Sequence, residues 1–104
     1  MKSSTNIREL IKNVVPKYKV SIHRDADRYI SGISEPERKR QVQQLLDELP
    51  DYPVVLEHWD VEKVRAVANL EADAVYRVRI GRHRIVFTVD KKNRKIDVPE
   101  AFLK

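Results

Sequence analysis

Cysteine is absent from the 104-residue chain, which excludes a disulfide scaffold and every thiolate-ligated metal site. That absence fits a reducing compartment, and the cytoplasm is the expected location. No apolar run approaches the roughly 18–20 residues that a membrane-spanning helix needs, so no membrane partner is expected. The opening stretch MKSSTNIRELIKNVV lacks the uninterrupted apolar segment of a secretory signal. Internal repeats and low-complexity segments are missing as well, and only two glycines occur, Gly32 and Gly81.

What is abundant is charge. Charged residues make up 36% of the chain and hydrophobic ones 41%, the balance of one globular domain with a modest core. Twenty-one Lys and Arg against 16 Asp and Glu leave a formal charge of +5. A polyanion or an acidic protein is the natural partner of such a surface. The one pattern suggestive of a metal, His23-x-Asp25-x-Asp27, lacks further ligands at sensible spacing. Its acids are explained by a helix start, where the dipole favours negative charge. Neither a metal nor a cofactor is expected.

Hydrophobic spacing organises the rest. Asn6 and Glu9 read as a capping box ahead of Ile7, Leu10, Ile11 and Val14, and Pro16 stops that helix. The expected division is an N-terminal helical extension over residues 1–17 and a single domain over 18–104. YKVSIH, residues 18–23, alternates as a strand. In DADRYISGI, Ala26, Tyr29, Ile30 and Ile33 share a helical stripe. A third helix is predicted from Ser34 and Glu37 as a capping box, Pro36 in the first turn, and a buried stripe of Val42, Leu45, Leu46 and Leu49. Arg38, Lys39 and Arg40 lie on its other face, and Pro50 and Pro53 end it. A connection of about two residues makes these helices an antiparallel hairpin. Residues 54–74 mix a short extended piece with a turn of helix. Trp59 belongs to the core or its edge, and His58 has no partner visible in sequence.

The last third is clearer. AVYRVRI and RIVFTVD are strands around Gly81-Arg82, and DKKNRK turns the chain into a final strand, KIDV. The fold class is α+β: an antiparallel sheet of one N-terminal strand plus a C-terminal three-stranded meander, a helical hairpin on one face, and the extra N-terminal helix. Glycine first in a two-residue loop suits a type II′ turn. The register follows: Ile80 opposes His83, Arg79 opposes Arg84, Val78 opposes Ile85, Arg77 opposes Val86 and Tyr76 opposes Phe87. Alternation then divides the hairpin. Tyr76, Val78, Ile80, His83, Ile85 and Phe87 face the core, which gives His83 a structural role. Arg77, Arg79 and Arg84 share the other face with Val86 and Thr88. Like charges so placed repel. Two readings fit: guanidinium forks awaiting a phosphate or carboxylate, or a solvated face bridged to Asp or Glu elsewhere.

Strand YKVSIH, a helical segment ending LLDELPDYP, WDVEKV and VYRVRIGRHRIVFTVD together resemble the RelE/ParE superfamily of bacterial and archaeal toxins over about residues 18–98. The family's hairpin pattern falls on Tyr76, Arg77, Arg79, Gly81, His83, Arg84 and Phe87. The resemblance implies a ribosome-dependent endoribonuclease that cuts mRNA without a metal, with the ribosome, mRNA and a cognate RelB-like antitoxin as partners. It implies that Arg84 stabilises the scissile phosphate, while Arg77 and Arg79 occupy positions of backbone-binding cations. Arg82, Lys63, Arg65 and Lys104 are the further cations expected to bind RNA phosphates. The chain departs from the family at its end: IDVPEAFLK has neither Arg nor Tyr, where relatives carry an arginine and a tyrosine for catalysis and stacking. Two other readings stay open, a ParE-like inhibitor of DNA gyrase and a noncatalytic RNA- or ribosome-binding module.

Overall fold

A computed structural model describes residues 17–64 and 72–104. The helix expected over the N-terminal extension therefore lies outside the described residues. The elements are strand β1 (Lys19–Ile22), helix α1 (Arg24–Ser31), helix α2 (Pro36–Glu48), 3-10 turns at Leu49–Asp51 and Val54–Glu57, and strands β2 (Asp60–Val64), β3 (Ala74–Ile80), β4 (His83–Asp90) and β5 (Lys95–Leu103). The five strands form one sheet in the order β1-β5-β4-β3-β2. Among the described residues no helix is long and apolar enough to cross a membrane.

Three features differ from the sequence reading. First, β1 runs parallel to β5, whereas the other pairs are antiparallel. Leaving β1 through the helices and returning at the opposite edge is the crossover that parallel pairing requires. Second, DVEKV forms a fifth strand, β2, at the far edge. Third, β5 continues past KIDV to Leu103. Pro99 sits where β1 has already ended and the β4–β5 register shifts, a place where a strand tolerates a missing N–H.

The helices supply the core layer. Asp25 and Asp27 occupy the first turn of α1 and Arg28 the last, each matching the helix dipole. In α2 the N-cap is Glu35, with no side-chain cap bond. The expected Ser34–Glu37 box does not form, because the helix starts one residue later with Pro36 leading it and Glu37 bonded to Arg40 instead. Residues 32–35 join the two helices. Ile30, Leu45, Leu49, Ile85, Phe87 and Ile96 are fully buried between the layers. Strand β4 alternates buried and half-buried along its whole length, so one sheet face is core and the other is open.

Candidate functional site

The β3–β4 hairpin adopts the expected register residue for residue, from Tyr76 opposite Phe87 to Ile80 opposite His83. Gly81 has φ of +60° and Arg82 is not left-handed, the combination of a type II′ turn. A second constraint acts on Gly81: a Cβ there would lie 2.7 Å from Nε of Arg38, which packs across the turn from α2.

Strand pairing orders the open face into rows. One row runs Asp60, Arg79, Arg84, Phe102, and the next runs Glu62, Arg77, Val86, Glu100. The three arginines are thus together, but two of them have carboxylate partners. Arg77 Nη2 donates to Glu62 Oε2 at 2.8 Å, and that bond holds the Glu62 carboxyl below its ordinary range. Arg79 lies 3.6 Å from Asp60. Arg84 has no acidic partner among the described residues. Its Nη1 donates to the carbonyls of Gly81 at 2.9 Å and His83 at 3.1 Å, which fixes the guanidinium and leaves its Nε and Nη2 donors free. The bridged-face reading therefore describes Arg77 and Arg79, and the free fork is Arg84.

The remaining expected cations are scattered. Lys63 pairs with Tyr76, whose side chain points into the core, so alternation puts Lys63 on the helix side of the edge strand, away from the arginines. Arg65 lies outside the described residues. Lys104 follows Phe102 by two positions and shares its face. Its backbone N–H donates to the Arg82 carbonyl at 2.8 Å, and its charge reaches Glu62. Arg82 is exposed at the turn, at the mouth of a cavity of about 470 Å³ on the other side of the hairpin.

That cavity lies where the α1–α2 connection meets the hairpin tip and the end of β5. Arg28, Tyr29, Ser34, Glu35, His83 and Leu103 line it, among others. His83 is 5% exposed. Its Nδ1 is 2.7 Å from the Tyr29 hydroxyl. Its Nε2 is buried without a hydrogen bond, and Glu35 Oε1 approaches it to 3.4 Å. Burial, with the Glu35 charge as a smaller cause, raises the Tyr29 pKa, so the hydroxyl stays a donor. His58, which had no partner in sequence, shares Glu48 with Trp59: both ring nitrogens lie 3.0 Å from Oε1.

Asp60, Glu62 and Glu35 were not singled out from sequence. The Asp60-x-Glu62 alternation was the available signal for the first two, and it has meaning only once β2 is known to pair with β3. Among the described residues no group of three or more His, Asp or Glu could hold a metal ion.

No family model and no curated protein matches the sequence. Solved structures do match. The archaeal RelE–RelB complex from Pyrococcus horikoshii is similar at a TM-score of 0.69 and 25% identity, covering 84% of this chain and 94% of that one. The YoeB dimer of Staphylococcus aureus gives 0.62 and 22%, covering 85% and 98%. The RelBE2 toxin–antitoxin complex of Mycobacterium tuberculosis gives 0.60 and 16%, covering 86% and 100%.

Proposed function

We propose that this member of the RelE-like toxin superfamily is a ribosome-dependent endoribonuclease that cuts mRNA and is silenced by a cognate antitoxin. The observation that carries the reading is Arg84, the arginine of the open face that has no carboxylate partner among the described residues, oriented by two carbonyls and flanked by Phe102. In the reaction the ribose 2′-hydroxyl gives its proton to water as its oxygen bonds to the adjacent phosphorus, the P–O5′ bond breaks, and the departing 5′-oxygen takes a proton from water, leaving a 2′,3′-cyclic phosphate and a 5′-hydroxyl. Both reacting oxygens belong to the RNA, and negative charge grows on the phosphoryl oxygens. A preoriented guanidinium aimed at that charge stabilises the transition state more than the ground state. Arginine stays protonated, so Arg84, Arg79 and Arg77 contribute electrostatically rather than as bases. Arg82 and Lys104, joined through the turn, extend the positive track along the RNA backbone.

Two of the similar structures are toxin–antitoxin complexes, which supports an antitoxin as partner here; the formal charge of +5 suits an acidic one, and the cytoplasm is the proposed location. The toxin domain runs over residues 18–104 in this proposal, with 1–17 as an N-terminal helical extension. The test is primer extension on ribosome-bound mRNA. Wild-type protein gives cuts within codons, and Arg84→Ala lowers their rate by roughly 100-fold, the cost typical of losing one charge-stabilising donor. Undiminished cutting by Arg84→Ala, or gyrase inhibition with no cuts at all, overturns the proposal.

A further inference from the structure

The cavity beside the hairpin tip is built around a polar group that nothing among the described residues satisfies. His83 is 5% exposed and its Nε2 has no hydrogen bond, and an unmade bond of this kind in a buried group is destabilising. Its tautomer is set by its neighbours. The Tyr29 hydroxyl sits on Nδ1, and a bare Nε2 would aim a lone pair at the Glu35 carboxylate 3.4 Å away. The proton therefore sits on Nε2.

Glu35 is the other half of the arrangement. Its side chain is 57% exposed and makes no hydrogen bond among the described residues, so it is free to turn toward a ligand and uncover the imidazole. With Glu35 turned to the cavity, its two carboxylate oxygens beside the imidazole N–H can offer a ligand the set acceptor, acceptor, donor. The Watson–Crick edge that complements such a set reads donor, donor, acceptor. Guanine has that edge, in N2–H, N1–H and O6. Adenine, cytosine and uracil do not. Around this set the half-buried Tyr29 ring, buried Ile33 and the exposed Leu103 side chain give apolar walls for a flat ring. Arg28 and Arg82 stand at the rim for the attached phosphate. A volume of about 470 Å³ is within the range of small-ligand pockets, and reading an unstacked base by its edge is the usual route to RNA sequence preference.

We infer that this cavity is a guanine-binding pocket, in which Glu35 and His83 read the base and Arg28 and Arg82 hold its phosphate. The inference rests on the RNA-cleaving reading for its substrate class: a strand gripped at Arg84 passes the turn that carries Arg82, which brings a neighbouring nucleotide to the pocket.

The test is an NMR titration of the full chain with 5′-GMP, AMP, CMP, UMP and inorganic phosphate, read at the His83 imidazole. The expected result is GMP binding at least tenfold tighter than the other four, with the His83 Nε2–H resonance shifted. Glu35→Gln replaces an acceptor with a donor on an exposed side chain, and it removes the preference. Arg84→Ala, which lies on the other face, keeps it. Equal binding of all four nucleotides, shifts reproduced by phosphate alone, or a preference that survives Glu35→Gln overturns the pocket. Those outcomes leave the cleavage proposal untouched, since that one stands or falls on Arg84 in the ribosome assay.

Discussion

At the scale of single residues, identity matters less than the partner each residue meets. Arg77, Arg79 and Arg84 are chemically the same, yet two meet carboxylates and one meets backbone carbonyls. Gly81 shows the same point from the opposite side, because it meets two separate demands. Its φ of +60° is costly for any residue with a Cβ, and that Cβ would press on the Arg38 guanidinium. Gly81→Ala is expected to lower unfolding stability by about 1–3 kcal/mol, the range for a strained backbone position. The Arg38 head is the end of a flexible side chain and can move, so the backbone term dominates. Urea unfolding separates the two: adding Arg38→Ala to Gly81→Ala restores little. A double variant as stable as Arg38→Ala alone shows that the close contact, not the backbone, was the constraint.

At the scale of elements, β2 decides how much of the arginine face is available. Its Asp60 and Glu62 carboxylates occupy Arg79 and Arg77 much as phosphates would. Exposed pairs of this kind are worth only about 0–1 kcal/mol each, so an RNA backbone displaces them at modest cost. Asp60→Asn and Glu62→Gln are expected to tighten RNA binding several-fold each and to steepen its dependence on salt by about one unit, since one more phosphate contact becomes net. Asp47→Asn, exposed on α2 in the helical layer, removes the same charge away from the face and serves as the control. If filter binding gives all three variants the same gain, overall charge and not β2 sets the affinity. The sequence disclosed the hairpin that β2 pairs with, because alternation and one glycine determine a local register. It hid β2 itself, since DVEKV is exposed or half-buried throughout and carries no apolar stripe. It hid the parallel β1–β5 pairing and the second half of β5 for a related reason. Nonlocal pairing leaves no local signature, and Pro99 interrupts the alternation. The arginine cluster was therefore legible, whereas its neutralisation by β2 and the Glu35–His83 pair were not, because each joins segments distant in the chain.

At the scale of the whole molecule, the formal charge of +5 coexists with several carboxylates committed to a hydrogen-bond partner. Hydrogen bonds from Arg40, His58, Arg77 and Asn93 hold Glu37, Glu48, Glu62 and Asp90 below their ordinary values of 4.5 for Glu and 3.8 for Asp. A carboxyl depressed in the fold binds its proton more tightly once unfolded. Its contribution to stability is therefore complete above the ordinary value and is lost as pH falls through the depressed one. Urea midpoints are expected to be insensitive to these groups above about pH 5 and to fall steadily toward pH 3. The four do not contribute equally. Glu37 and Glu62 are well exposed, with side chains 63% and 58% accessible, and solvent screens them. Glu48 is 25% accessible, and it ties the end of α2 to His58 and Trp59 just before β2, joining the helical layer to the sheet edge. Glu48→Gln keeps an acceptor for Trp59 but cannot ionise, so it should flatten the acid slope more than Glu37→Gln does. Equal slopes in Glu48→Gln and wild type mean that the acid sensitivity arises elsewhere, and that the helix-to-edge clip holds by shape rather than by charge.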